Sequence, residues 1–227
     1  MKRNRSRLVG VGMGAVITFS IALGLASSKA GEAETGPAPF QVERIGVMPF
    51  FKGSYGSDLT SSLTCPVCDL TFDPDNLTPD CDRVLTGFAQ DLLKIRYGDK
   101  LLPMLDVMKA YRQMPKDEFK DTPLGLTQRL GKVLSADAMI VGSVWKYRER
   151  RGGTRAVESP ASVAFAVHLV DVETGRIVWS KDFAETQRSL SENILNAPAF
   201  FARGAKWLTA DELARFGMEE IFKAFPY

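Results

Sequence analysis

The sequence predicts an α/β (α+β) fold: a single mixed β-sheet of about four or five strands flanked by helices, with a C-terminal β-hairpin and helix. Three observations predict it. A short apolar strand lies early, at residues 44–50, two alternating strands joined by a tight turn lie at residues 162–186, and stretches of helical period lie before, between and after them. The 227 residues are 45% hydrophobic, which suits one domain with its own core.

The first 30 residues have the three parts of a secretory signal peptide. A basic start, MKRNRSR, precedes an uncharged run over residues 8–28, and Ser28 and Ala30 supply the small residues that a signal peptidase recognises. We therefore expect export to the periplasm and cleavage after Ala30. Anchoring in the inner membrane by an uncleaved segment stays open, because a helix of about 21 residues rises about 32 Å and the hydrocarbon core is about 30 Å thick.

Export changes the meaning of the net charge. The whole chain carries +2, but residues 1–30 hold five of the basic side chains and no acid, which leaves −3 for the rest. An acidic remainder gives no reason to expect nucleic acid as a partner. We expect residues 31–42 to be a flexible, polar lead-in and residues 43–227 to form one domain.

The elements of the first half follow from the spacing of apolar residues. Residues 44–50 are predicted as a buried strand and residues 51–81 as a long loop. Residues 101–106 suggest a short edge strand, because Pro103 bars them from the centre of a sheet, and residues 107–111 begin another helix. The first helix is predicted from four side chains at helical spacing, which are Val84, Phe88, Leu92 and Ile95.

The second half is clearer. Asp121-Thr122-Pro123 opens a helix, residues 137–150 alternate as a strand, and residues 162–171 and 176–186 form a hairpin with Gly175 at a positive φ. Thr209 and Glu212 are spaced as the capping box of a last helix. In the strand at 137–150 the alternation places on one face Met139, Val141, Ser143, Trp145 and Tyr147.

All three cysteines lie in CPVCDLTFDPDNLTPDC, residues 65–81. A C-x-x-C fits zinc, a redox pair, haem or a disulfide. Asp69 stands where haem attachment needs histidine. The single histidine of the sequence, His168, lies far from the three cysteines in the chain, so the sequence does not favour the four-ligand cluster of a structural zinc site. Loop-like flanks disfavour a redox helix. In an oxidising compartment we expect a disulfide from Cys81 to Cys65 or Cys68, about 3 kcal/mol of stabilisation, one remaining thiol and no metal.

Basic side chains cluster at the end of the predicted strand at 137–150. They are candidates for contact with a partner or an anionic surface. The alternative is a solvated strand end that discourages edge pairing. These candidates are Lys146, Arg148, Arg150, Arg151 and Arg155.

Catalytic motifs do not appear in the sequence. It contains no G-x-S-x-G, no P-loop and no H-E-x-x-H. His168 is predicted inside a strand, where a hydrogen-bonded structural role is expected. We therefore expect no enzyme and no cofactor, with a small periplasmic hydrolase or thiol-redox protein with an unrecognised site as the alternative.

Two segments resemble the CsgG-like and LpoB-like superfamily, whose fold is similar to the N-terminal domain of TolB. LGKVLSADAMIVG, residues 130–142, resembles its junction of helix and strand, and LVDVETGRIVW, residues 169–179, resembles its hairpin. The resemblance implies a non-catalytic envelope protein that binds another envelope protein in an assembly or regulatory role. Proximity to a membrane and a homo-oligomer are compatible with it. No cysteine follows the N-terminal apolar run, so lipid attachment is not predicted.

Cleavage of the signal peptide is directly testable. Mass spectrometry of the protein isolated from its native envelope is expected to show a new N-terminus at Gly31. Recovery of residues 1–30 intact would instead establish the inner-membrane anchor.

Overall fold

The computed structural model describes residues 42–55, 63–65, 67, 71–72, 77–117, 121–153, 157–188 and 206–226. They belong to one compact unit, Phe40–Tyr227. Within these ranges no helix has both the length and the apolar character needed to cross a bilayer. The predicted signal peptide, and the lead-in up to residue 41, lie outside the described residues and stay predictions.

The described residues form four α-helices and ten β-strands. The helices are α1 (Cys81–Tyr97), α2 (Met104–Gln113), α3 (Pro123–Val133) and α4 (Ala210–Lys223), with one 3₁₀ turn at Gly98–Lys100. The strands are β1 (Ile45–Val47), β2 (Phe51–Lys52), β3 (Ser54–Tyr55), β4 (Leu63–Thr64), β5 (Thr71–Phe72), β6 (Ala138–Arg148), β7 (Arg151–Gly152), β8 (Val157–Ser159), β9 (Ser162–Asp171) and β10 (Ile177–Thr186).

A mixed sheet lies at the centre of the domain, as predicted. β6 pairs in parallel with β1 and then with β2, and pairs antiparallel with β9 on its other side. β10 follows β9 in a hairpin and forms the edge of the sheet. Two small additions, β3–β4–β5 and β7–β8, lie off this sheet.

Helices cover both faces of the sheet. On the face that we call the first, α1 and α4 pack against β6 and β9 through side chains such as Leu85, Phe165 and Leu213. On the second face, α2 and α3 pack through Val107 and Leu130. Successive residues of a strand point to opposite faces, so long strands with helices on both sides are apolar at nearly every position.

Local signals in the sequence match the helix ends and the hairpin. The Thr122 hydroxyl accepts the N–H of Gly125 at 3.0 Å and begins α3. Thr209 and Glu212 form the predicted capping box of α4. Gly175 has a φ of 70° in the hairpin turn, where a residue with a Cβ atom would be strained.

Three local predictions were wrong. Residues 101–106 are not a strand, because Leu101 makes a single bridge to Ile45 and α2 begins at Met104. The predicted loop at 51–81 contains β2 to β5. The Tyr147 side chain was predicted on the same face as Met139, but it points to the first face. A β-bulge between Val144 and Lys146 shifts the alternation of side chains there.

Two helix glycines give a matched test of the packing. A Cβ atom on Gly217 of α4 would lie 2.4 Å from the ring of Phe183, whereas one on Gly87 of α1 would meet no atom within 4 Å. We expect Gly217→Ala to lower the free energy of unfolding by about 1–3 kcal/mol through overpacking. Gly87→Ala should raise it by about 0.5–1 kcal/mol through backbone entropy. Urea denaturation measures both, and equal shifts in one direction would contradict the packing of α4 on β10.

Candidate functional site

The described cysteines lie on opposite faces of the sheet. Cys81 is a free, buried thiol at the first residue of α1, in the core of the first face, and burial raises its pKa. Cys65 belongs to the core of the second face. The predicted disulfide from Cys81 to Cys65 or Cys68 is therefore not formed: Cys81 starts a helix, and the sheet separates it from Cys65. Cys68 itself lies outside the described residues.

A connected group of polar side chains lies on the second face, which we call the Cys65–His168 cluster. The Cys65 Sγ atom is 3.0 Å from the Ser143 hydroxyl and 3.8 Å from His168 Nε2, and His168 Nδ1 is 2.8 Å from the Ser180 hydroxyl. Cys65, Ser143 and His168 are at most 2% exposed. The hydrogen-bonded role expected for His168 fits this group. Its contact with Cys65 was missed because 103 residues separate the two in sequence.

Register places these side chains together. His168 of β9 lies directly opposite Val141 of β6 and Ser180 of β10. Ser143, two residues beyond Val141, points to the same face. A cysteine nucleophile must be reachable by its substrate, and Cys65 is 2% exposed. Cys65, Ser143 and His168 are therefore closed to solvent.

The end of β6 is bonded to the N-terminus of α4, which we call the β6–α4 junction. The Tyr147 hydroxyl donates to the Asp211 carboxylate at 2.6 Å, and the Ala210 N–H donates to the Glu149 carboxylate at 3.0 Å. Burial, and next the bond to Asp211, raise the pKa of Tyr147. The Thr78 hydroxyl donates to the Tyr147 carbonyl at 2.7 Å, which adds the chain before α1 to the same junction.

The described basic candidates lie along the end of β6 and in the residues that follow it. Lys146, Arg148 and Arg150 are half-buried, Arg151 is exposed in β7, and Arg155 lies outside the described residues. Lys146 and Arg148 share the second face with Met139, because they lie opposite Ala164 and Ser162. The regular alternation predicted from the sequence placed them on the face opposite Met139, and the bulge after Val144 reverses this. Most of the described basic side chains are thus half-buried in the domain, and a contact between them and a partner stays a proposal.

The charge of Arg150 acts on the start of α4. The pKa of the Glu212 carboxylate is lowered by the Lys206 ammonium, then by the Thr209 N–H, with a smaller contribution from Arg150. Glu212 closes the capping box, so Arg150 supports a charge that caps the helix.

The edge strand β10 presents a row of backbone groups away from β9. The Gln187 N–H donates to the Ala161 carbonyl at 3.1 Å, which makes this a hydrogen-bonded pair of the antiparallel ladder. Such pairs alternate along a ladder, so odd-numbered residues from 179 to 187 bond to β9. The N–H and C=O groups that point outward belong to Ser180, Asp182, Ala184 and Thr186. No described residue pairs with this side of β10.

An apolar cleft of about 500 Å³ lies between α1 and α2. Phe50 and Phe51 contribute to it from the segment after β1, and Met104 and Met108 from α2. Arg83 also lines it. The lining is mainly hydrophobic, and nothing in the described residues indicates what would fill it.

Comparison with known proteins gives structural similarity only. No protein-family model matches the chain, and no curated protein matches it. The PelC dodecamer from Paraburkholderia phytofirmans is similar, at 14% identity and a TM-score of 0.43 over 82% of this chain and 89% of that chain. Lipoprotein GNA1162 from Neisseria meningitidis is similar at 18% identity and a TM-score of 0.37, over 69% and 96% of the two chains.

The C-terminal domain of LpoB from Escherichia coli is also similar, at 13% identity and a TM-score of 0.35 over 67% of this chain and 90% of that chain. The LpoB-like part of the sequence resemblance therefore has a counterpart among solved structures, and the CsgG-like part stays a prediction. All three TM-scores are below 0.5, so these similarities do not decide the family, the partner or the activity of this chain.

The β6–α4 junction predicts a dependence of stability on pH. Tyr147 has a raised pKa in the folded protein, so its contribution is fully present below the ordinary tyrosine pKa of about 10 and is lost as pH rises above it. Tyr147→Phe should lower the free energy of unfolding by about 1–2 kcal/mol at pH 7. The variant should also lose stability less steeply above pH 10.

Tyr111→Phe is the matched control, because it removes the hydroxyl of a half-buried tyrosine in α2. Denaturation at pH 7 to 11 measures all three proteins. Equal losses at pH 7 in Tyr147→Phe and Tyr111→Phe would show that the bond to Asp211 contributes nothing specific.

Proposed function

We propose that this chain is an exported, non-catalytic cell-envelope protein that binds an extended segment of another envelope protein as an additional strand along β10. The observation that carries the proposal is the outward row of backbone groups from Ser180 to Thr186. Addition of a strand to a sheet edge is a common mode of peptide recognition, in which main-chain hydrogen bonds supply affinity and alternate side chains supply specificity.

The length and composition of β10 favour pairing. Exposed edges are usually shortened or interrupted by proline, since they invite association. β10 has ten residues and no proline, and its register shift lies at its start, between Ile177 and Trp179. Its protective features are the charged side chains of Lys181, Asp182 and Glu185. Those charges prevent indiscriminate aggregation and would select a partner strand of complementary charge.

β10 is held rigidly before any partner binds. The Trp179 indole N–H donates to the Ala224 carbonyl at 3.1 Å, and the ring of Trp179 meets Phe225 edge to face at 4.9 Å between centroids. Phe183 packs on Phe165 at 5.7 Å between centroids. A strand already fixed by its own side chains loses little conformational entropy on binding, which favours affinity.

The burial of Cys65 and His168 bears on the choice between a binding role and a catalytic one. The described Cys–His pair, Cys65 and His168, is buried, so it does not favour the hydrolase alternative. The basic strand end is a second candidate for contact. Arg151 is its exposed member among the described residues, whereas reversing the charge of Arg150 would also remove its favourable effect on Glu212 at the start of α4.

A proline at an outward-facing position tests the β10 edge. Ala184→Pro removes one outward N–H and leaves the ladder to β9 intact, because residue 184 does not donate to β9. With a photo-cross-linking amino acid at Asp182, the full-length chain in its native envelope is expected to form a discrete adduct with one protein. Adding Ala184→Pro should reduce that adduct at least tenfold.

The matched controls separate the edge from general surface effects. Ala184→Val keeps the N–H and should keep the adduct, and the cross-linker at the exposed Val133 of α3 should not form it. If Ala184→Pro cross-links like the wild type while Arg151→Glu abolishes the adduct, the contact lies at the basic strand end and the β10 proposal is wrong.

A further inference from the structure

We propose that a second copy of this chain closes the β10 edge, through antiparallel pairing of the two β10 strands about a two-fold axis at Phe183. The outward N–H and C=O groups of β10, from Ser180 to Thr186, pair with no strand among the described residues. A two-fold interface uses the same surface on both copies, so that surface must be complementary to itself. The side chains of β10 meet this condition.

The charges of β10 favour one register among the axes that lie within this row. Opposite charges directly across a ladder stabilise the pairing, and like charges destabilise it. With the axis at Phe183, Lys181 of each copy lies opposite Glu185 of the other. Axes at Lys181, Asp182 or Glu185 place two identical charges opposite each other. An axis at Ala184, or at either end of the row, brings no two opposite charges together.

The backbone groups fit the same register. The outward residues of one copy face outward residues of the other and form the hydrogen-bonded pairs of the new ladder. The residues between them form the other kind of pair, in which side chains approach more closely. Lys181, Phe183 and Glu185 occupy these close pairs and share the first face, as their neighbours on β9 do. Phe183 is half-buried in one copy, and pairing sets it opposite its own equivalent, an aromatic pair that stabilises a ladder.

Lys181 and Glu185 do not pair with each other within one chain. They are four residues apart on the same strand, which is about 13 Å. Lys181 is exposed and Glu185 is half-buried. A carboxylate accepts several hydrogen bonds, so Glu185 can bind the ammonium of the other copy and keep its contacts in its own chain. Two-fold symmetry gives two such pairs in each dimer.

The pairing would regulate the proposed strand addition. It uses the same open edge, but it does not depend on an envelope partner. An edge closed by a second copy is not available to another protein, so a partner must compete with the dimer. The cross-linker at Asp182 separates the two proposals, because an adduct of two copies has twice the mass of the chain, whereas another protein adds its own mass.

Sedimentation equilibrium of the purified protein over a range of concentrations measures the dimer. Lys181→Glu and Glu185→Lys each turn both pairs into like charges and should raise the dissociation constant about tenfold or more. An equimolar mixture of these two variants again sets opposite charges across the axis, and should restore the wild-type constant to within about threefold. Asp182→Lys is the matched control. It changes the charge by as much as Glu185→Lys, but it lies opposite Ala184 and should leave the constant within about threefold of the wild type.

Amide hydrogen exchange in the wild type locates the contact without any variant. Protection of the N–H groups of Asp182 and Ala184 should rise with protein concentration. This measurement decides the question if circular dichroism shows that Glu185→Lys fails to fold. Three results would overturn the proposal. They are a wild type that stays monomeric at about 1 mM, a mixture of folded variants that dissociates as each does alone, and a loss with Asp182→Lys equal to that with Glu185→Lys.

Discussion

β6 and β9 pair from Ala138 opposite Asp171 to Arg148 opposite Ser162, and this ladder determines what each face of the domain can contain. The pairing is antiparallel and nearly continuous, so every second side chain along β9 packs in the α1–α4 core. The side chains between them point to the other face, where the α2–α3 core lies. The same ladder positions β1 and β2 on one side of β6 and leaves β10 at the opposite edge. A slip by one residue would turn each side chain of the slipped strand to the opposite face and mismatch the packing of both cores.

The bulge near Val144 is the one interruption of that ladder, and it creates the β6–α4 junction. Beyond it Tyr147 turns to the first face, where its hydroxyl reaches Asp211 at the start of α4. A regular strand would have placed Tyr147 with Ser143 on the second face. The hydrogen bond from Tyr147 to the start of the C-terminal helix therefore depends on one extra residue in β6.

Features set by neighbouring residues could be predicted from the sequence, and features set by distant pairings could not. Thr209 with Glu212, and Gly175 in its turn, carry their own local chemistry, and the structure has the capping box and the turn where they were predicted. The bulge in β6 has no comparable signal, since Trp145 and Tyr147 continue the apolar alternation. The partner of Cys65 was also hidden, because only the folded sheet brings His168 to a segment that reads as a polar loop. The disulfide predicted for Cys81 failed for a similar reason, since the sheet separates Cys81 from Cys65.

Ser180 belongs to both candidate sites. Its hydroxyl holds His168 Nδ1 in the buried cluster, and its backbone N–H and C=O are the first of the outward row on β10. Ser180 therefore connects the buried cluster to the open edge through a single residue, because its side chain points to the second face while its backbone groups lie in the plane of the sheet and point away from β9.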